Sequence, residues 1–171
     1  MKGTDSATVN YSDPNLVEVG VGMLAIAEYP KYLMTPALGS CVGVALYDAT
    51  LRQGGLAHIM LPMPLDSGLV ASEDRFASNA IPRLVSMLSE AGSPRRRLMA
   101  KLAGGAAMFR TDSALAQIGE RNVAEVRRQL KLLNILVIAE DTGESHARTV
   151  ELHLDNGTYV VRSYLYGVRK L

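Results

Sequence analysis

The stretch from Thr35 to Pro62 constrains the fold more tightly than any other. Two short apolar runs, Val42 to Tyr47 and Leu56 to Leu61, flank a polar, glycine-bearing segment, Asp48 to Gly55. Runs of this length around such a turn fold as an antiparallel hairpin. Centring the turn on Thr50 and Leu51 sets Cys41, the only cysteine, opposite Met60. His58 then becomes the diagonal neighbour of Cys41, roughly 7–8 Å away between backbones and within reach of an imidazole. A slip of one residue would send one of the two side chains to the other face of the ribbon.

That juxtaposition has a chemistry. A free thiol, with a pKa of about 8.5, is mostly protonated at neutral pH; a nearby imidazole can take its proton and leave a nucleophilic thiolate. Gly39 and Ser40 ahead of Cys41 permit a tight turn whose backbone N–H groups, at Ser40 and Cys41, can hold a developing oxyanion. Thr35 is biased to an extended conformation by Pro36 after it. Its hydroxyl can accept from the second imidazole nitrogen and orient the ring, the third role in triad logic. The same residues also have an inert reading. A lone cysteine before a Val-Gly-Val-Ala strand serves elsewhere as a small buried hydrophobe, and a histidine in an apolar strand as a satisfied core residue. His146, in a polar loop that can swing toward the thiol, is the rival base.

The rest of the chain supplies the scaffold. Residues 1–14 are polar and aperiodic and read as a flexible N-terminal tail, which leaves 15–171 as a single domain. Leu16 to Ala27, with Val17, Val19, Val21 and Met23 alternating, predicts one strand with a buried face. Leu65 to Ser72 leaves the His58 strand as a loop, either a cover for the site or an ordinary connector. Ser72 to Ala91 predicts a helix from the spacing of Phe76, Ala80, Leu84, Val85 and Leu88, with Gly92 as its stop. Pro82 either kinks that helix or marks its true first turn near Asn79. Arg95-Arg96-Arg97 is a basic cluster, a solvated face or a contact for an acidic partner.

Leu98 to Ala103 predicts a strand that runs into Gly104-Gly105. No phosphate-loop lysine follows. The two glycines therefore read as points of close packing or of peptide approach beside the thiol, and Gly104, Gly105, Met108 and Phe109 are the substrate-binding candidates. Gly119 to Leu133 predicts a second helix on the stripe Val123, Val126, Leu130 and Leu133, ended by Asn134. Ile135 to Ala139 reads as a strand buried on both faces. It leads to Glu140-Asp141-Thr142-Gly143, read as a turn capped by Asp141 and Thr142. Asp155-Asn156-Gly157-Thr158 between Thr149–Leu154 and Tyr159–Ser163 is a hairpin signal. Tyr164, Tyr166, Arg169 and Lys170 read as an exposed arm.

Two helices cannot flank both faces of so many strands, so sheet must pack on sheet. The expected architecture is an α/β layered sandwich of packed β-sheets with two main helices on one outer face. A net charge of +1 carries no strong pull toward nucleic acid or an anionic membrane. No run approaches the ~20 apolar residues of a membrane span. One cysteine excludes an intramolecular disulfide and fits a reducing compartment. The expectation is a cytoplasmic protein with no direct membrane insertion and no nucleic-acid partner. His146 and His153 show no ligand spacing, so neither a metal nor a cofactor is expected.

Five segments carry a resemblance to a known family. They are Leu38-Gly39-Ser40-Cys41, Gly54-Gly55-Leu56-Ala57-His58-Ile59-Met60-Leu61-Pro62, Ala103-Gly104-Gly105-Ala106-Ala107-Met108-Phe109, Ile118-Gly119-Glu120-Arg121-Asn122 and Glu140-Asp141-Thr142-Gly143. In these residues, and in their order, the chain resembles the chemoreceptor glutamine deamidases of bacterial chemotaxis, the CheD family. Each segment alone is weak; five together are specific. The resemblance implies a CheD-like fold and hydrolysis of chosen receptor glutamines to glutamate by a cysteine-histidine thioester route. Cys41 is the implied nucleophile, His58 the base and acid, and Thr35 the residue that orients the histidine. The same nucleophile could also act as a receptor methylesterase. The implied partners are the cytoplasmic part of methyl-accepting chemotaxis receptors and a CheC-type phosphatase. The alternative implied role is a catalytically weak binding module that regulates such a phosphatase. Two departures stand out. The family usually reads Thr-Leu-Gly-x-Gly-Ser-Cys, whereas Pro36 and Ala37 here replace leucine and glycine. Glu144 stands where the family often has a second glycine after Asp-Thr-Gly.

Overall fold

The computed structural model describes residues 8–65, 73–110 and 112–171. These residues form three layers. An outer sheet runs in the order β1-β3-β8-β9-β10, with β1 Leu16–Glu18, β3 Tyr32–Leu38, β8 Arg148–His153, β9 Tyr159–Ser163 and β10 Gly167–Lys170. A central sheet runs in the order β2-β5-β4-β6-β7, with β2 Leu24–Glu28, β4 Val42–Asp48, β5 Gln53–Ile59, β6 Met99–Gly104 and β7 Leu136–Thr142. Helices α1 (Ala77–Glu90) and α2 (Ile118–Leu132) both lie on the far side of the central sheet. The layered sandwich with two helices on one outer face is therefore the observed architecture.

Strand alternation explains the layering. Val42, Val44 and Leu46 of β4, with Ala57 and Ile59 of β5, face the helices and pack on Ile81, Leu84 and Leu88 of α1 and Val123, Val126 and Leu130 of α2. The alternate positions, Ala45 and Leu56, face the outer sheet and meet Leu33, Val150, Leu152, Tyr159 and Val161. Both faces of β4 and β5 are dry, which is why their sequences are almost continuously apolar.

The hairpin keeps the register anticipated from its turn: Val42 pairs with Ile59, Gly43 with His58 and Asp48 with Gln53. Asp48 fixes that turn. Its carboxylate accepts the Thr50 N–H at 3.0 Å and pairs with Arg97 at 2.8 Å. Arg97, one of the three clustered arginines, is thus spent inside the chain.

Several local expectations give way. Leu16 to Ala27 is not one strand: β1 joins the outer sheet and β2 the central one. A turn between them, closed by Met23 N–H to Gly20 C=O at 3.1 Å, leaves Val21 and Met23 exposed. Helix α1 starts at Ala77, after a short 3₁₀ turn at Glu73–Arg75, and Pro82 falls in its second turn. β7 is not buried on both faces. It is the last strand of its sheet, and Leu136 and Ile138 are exposed. Glu140, Asp141 and Thr142 belong to β7 rather than to a turn, and Asp141 pairs with the fully buried Arg148 at 2.8 Å. Tyr164, Tyr166, Arg169 and Lys170 are exposed as expected, but Gly167–Lys170 forms β10, paired antiparallel with β9, rather than an arm. Residues 66–72 of the loop after Leu65, and residues 1–7 of the tail, lie outside the described residues.

Both departures from the family pattern fall on left-handed backbone. Ala37 has φ of 59° and Glu144 has φ of 58°. These are the two positions at which the resemblance noted above leads one to expect glycine, the residue best suited to such backbone. Pro36 and Ala37 form a bulge in β3, between the ladder pairs at Thr35 and Leu38, so the missing N–H of Pro36 interrupts no ladder bond. Left-handed backbone costs a non-glycine residue about 1–2 kcal/mol, and glycine gives back about 0.4–1 kcal/mol through its freer unfolded chain. Ala37→Gly is therefore expected to raise stability by about 0.5–1 kcal/mol, read as a higher urea midpoint. A lowered midpoint would contradict the strain assigned to Ala37.

Candidate active site

Cys41 and His58 lie on one face of the central sheet, the face that meets the outer sheet. Cys41 packs with the cluster between the sheets and shares the side of Ala45. His58 alternates with Ala57 and Ile59, which face the helices, and shares the side of Leu56. Because Gly43 pairs with His58, Cys41 stands two residues from the histidine's direct partner, at the diagonal position. Gly43 leaves room on that face. A Cβ there would stand 2.6 Å from the Tyr159 hydroxyl and 2.9 Å from Leu38 Cδ1. The Tyr159 hydroxyl donates to the Gly43 carbonyl at 3.0 Å, tying the outer sheet to the central one beside the histidine.

Thr35, on β3 of the outer sheet, completes the group. It is fully buried, and its Oγ1 lies 2.6 Å from His58 Nδ1 and 2.6 Å from the Val19 carbonyl oxygen. A hydroxyl has one proton, and the Val19 carbonyl can only accept. The proton therefore goes to Val19, and Oγ1 accepts from Nδ1–H. This hydrogen-bond logic assigns the tautomer: Nδ1 carries the proton and Nε2 carries the lone pair. Nε2 is buried and finds no hydrogen-bond partner among the described residues. Such an orphan acceptor costs about 1–3 kcal/mol where it is a purely structural group.

The turn that carries Cys41 is held by its carbonyls. The Gly39 carbonyl accepts from Ala106 N–H at 2.9 Å, the Ser40 carbonyl from Asn122 Nδ2 at 3.0 Å, and the Cys41 carbonyl from Gly105 N–H at 2.8 Å. The N–H groups of Ser40 and Cys41 donate to no acceptor among the described residues. Gly104 is required by contact as well as by its φ of +105°, since a Cβ there would come within 2.3 Å of the Cys41 carbonyl oxygen. Gly105 faces Val123 and the Gly119 carbonyl. Met108 packs over Gly39 and remains partly exposed, and Phe109 is largely exposed.

Burial pushes the Cys41 thiol above its usual range and pushes the His58 imidazole down to about 4. Both shifts favour the neutral forms, so thiol and imidazole are uncharged at neutral pH. His146, the rival base, packs against the Tyr166 ring at 4.6 Å, and its carbonyl accepts from Arg148. His153 pairs with Glu151 and stacks on Tyr32. Among the described residues, no three His, Cys, Asp or Glu side chains gather as metal ligands.

Sequence reasoning missed Val19, Tyr159 and Asn122. The first acts through its backbone and the second reaches in from the other sheet, so neither leaves a local signal. Asn122 does leave one. It is a fully buried polar residue next to Val123 on the inner face of an amphipathic helix.

The model of one family, described as CheD chemotactic sensory transduction, matches residues 60–163. Curated relatives align over most of the chain. A probable chemoreceptor glutamine deamidase CheD 1 from Methanosarcina acetivorans is 40% identical, covering 91% of this chain and 97% of its own length. A chemoreceptor glutamine deamidase CheD from Bacillus velezensis is 45% identical, over 80% of this chain and 84% of that protein. The Bacillus subtilis protein of the same name is 38% identical, over 91% and 96% respectively. This chain belongs to the CheD family.

The depressed imidazole makes a stability prediction. Between the unfolded value of about 6.5 and the folded value of about 4, the unfolded chain takes up a proton at His58 that the native state refuses. The contribution is complete above pH ~6.5 and lost as pH falls toward 4, on the order of 3 kcal/mol. Urea unfolding from pH 7 to 4.5 should therefore show a steeper loss in wild type than in His58→Gln. Parallel losses in the two proteins would contradict a neutral buried His58.

Proposed function

We infer that this protein is a chemoreceptor glutamine deamidase that hydrolyses chosen glutamine side chains in the cytoplasmic part of methyl-accepting receptors. The names of its relatives support the substrate, and the Thr35–His58–Cys41 arrangement supports the chemistry. The observation that carries the reading is the pair of 2.6 Å contacts at Thr35 Oγ1, which fix the His58 proton on Nδ1 and leave Nε2 as a base on the face shared with Cys41.

The reaction follows from those atoms. His58 Nε2 takes the Cys41 proton as the sulfur attacks the glutamine carboxamide carbon. The carbonyl oxygen gains the negative charge and is held by the N–H groups of Ser40 and Cys41. The imidazolium returns the proton to the departing nitrogen, and ammonia leaves a thioester on Cys41. Nε2 then deprotonates a water that attacks the thioester, giving glutamate and the free thiol. Thr35 keeps the ring in one tautomer and stabilises the imidazolium through its Nδ1–H. Met108 and Phe109 offer apolar contact to the receptor segment at the rim, while Gly104 and Gly105 shape the floor behind the nucleophile. The same nucleophile accommodates a methyl ester, with methanol leaving in place of ammonia.

Mass spectrometry of a receptor cytoplasmic fragment tests this directly. Wild type should convert glutamine to glutamate at discrete positions, and Cys41→Ala should convert none. Thr35→Val should lower kcat by about 100-fold, as expected when a base loses its tautomer and orientation, while Thr35→Ser retains most activity. The acid limb of the rate profile should fall near His58's depressed value of about 4 rather than near 6.5. Full conversion by Cys41→Ala would end the proposal.

A further inference from the structure

We propose that Asn122 is a positioning residue for the oxyanion site. It acts through the Ser40–Cys41 peptide; this rests on the deamidase reading above. Asn122 is fully buried on α2, on the opposite side of the central sheet from the His58 ring. Its Nδ2 donates to two carbonyls, that of Ser40 at 3.0 Å and that of Met60 at 2.9 Å.

The partners matter because of where they sit. The β4–β5 ladder ends at Val42 and Ile59. Cys41 and Met60 are the next positions along it, and there the asparagine amide takes the place of a rung. The nucleophile turn is thereby fastened to the end of the strand that carries His58. The Ser40 carbonyl also shares a planar peptide with the Cys41 N–H. In a trans peptide the C=O and the N–H point in opposite directions. Drawing the carbonyl toward α2 turns the Cys41 N–H away from the helices, toward the face that holds the thiol and the imidazole. Donation to that carbonyl also polarises the peptide and strengthens its N–H as a donor.

The other end of the side chain is unsatisfied. Asn122 Oδ1 is buried and has no partner among the described residues. An apolar side chain of similar shape would avoid that desolvation cost. The side chain present is an amide satisfied only at its donor end, and that end holds the nucleophile turn. The neighbouring carbonyls of Gly39 and Cys41 are held by backbone donors that any sequence provides. Only the Ser40 carbonyl depends on a side chain.

Two reactions of the Cys41 thiol separate this role from plain structural support. Acylation by p-nitrophenyl acetate passes through a tetrahedral oxyanion: the sulfur bonds to the acyl carbon, p-nitrophenolate departs, and the thiol proton leaves through His58. Alkylation by iodoacetamide displaces iodide and builds no oxyanion. In Asn122→Leu and Asn122→Ala, acylation above the Cys41→Ala background should fall about 10–100-fold, since oxyanion donors carry effects of that order. Alkylation should stay within about threefold of wild type, and receptor deamidation should lose kcat with KM nearly unchanged. Ser93→Ala removes a buried side-chain hydrogen bond to Gln53 at the other end of β5 and serves as the stability control. It should lower the melting temperature without changing either rate.

An unchanged acylation rate in a folded Asn122 variant would overturn the proposal. So would equal loss of acylation and alkylation, which signals general disorder of the turn. Both thiol reactions run without receptor. Failure of wild type to deamidate receptor would therefore count against the deamidase reading alone, and an unchanged acylation-to-alkylation ratio against Asn122 alone.

Discussion

The site depends on one proton that Thr35 gives away. Its hydroxyl sits between a carbonyl that can only accept and an imidazole nitrogen that can donate or accept. Because the carbonyl takes the hydroxyl proton, the imidazole has to donate, and its second nitrogen is left as a base. A buried threonine with no such carbonyl could have donated to Nδ1 instead, and Nε2 would then have carried the proton. Val19, a valine just past a three-residue edge strand, therefore sets the tautomer of a histidine in another sheet. This also explains why the first segment of the chain is split. β1 must run alongside β3 to deliver the Val19 carbonyl, and β2 must cross to the central sheet to close its edge against β5.

The second constraint is the sandwich itself. Thr35 comes from the outer sheet and the cysteine and histidine from the central one, so the candidate site spans the packing between layers. Dry surroundings follow from that placement. They explain why the thiol is held up and the imidazole down, and why both groups rest uncharged. A solvated pair on a surface loop would settle more readily as an ion pair.

Much of this was legible in the sequence where the signal was local. The hairpin register followed from a short polar turn between apolar runs, and it placed Cys41 and His58 on one face. The helical stripes of α1 and α2 followed from periodicity. The departures at positions 37 and 144 stood out in the sequence, but the left-handed backbone beneath them shows only in the structure. What stayed hidden depended on partners far apart in the chain. A run such as Ile135 to Ala139 looks doubly buried because β-branched residues suit any strand, yet β7 lies at an edge. The alternation through Val21 and Met23 suggested one strand, yet Gly20 and Gly22 break it. Asn122 was visible as a motif residue, but its task appears only when Ser40 and Met60 are brought beneath it.

The most direct test is the tautomer of His58, read by nitrogen-15 NMR of the selectively labelled imidazole at neutral pH. The hydrogen-bond arrangement requires a protonated Nδ1 coupled to its hydrogen and an unprotonated, pyridine-like Nε2, with the pattern reversed or averaged once Thr35 is replaced by valine. A protonated Nε2 in the wild-type protein, or an imidazolium with both nitrogens protonated, would contradict it.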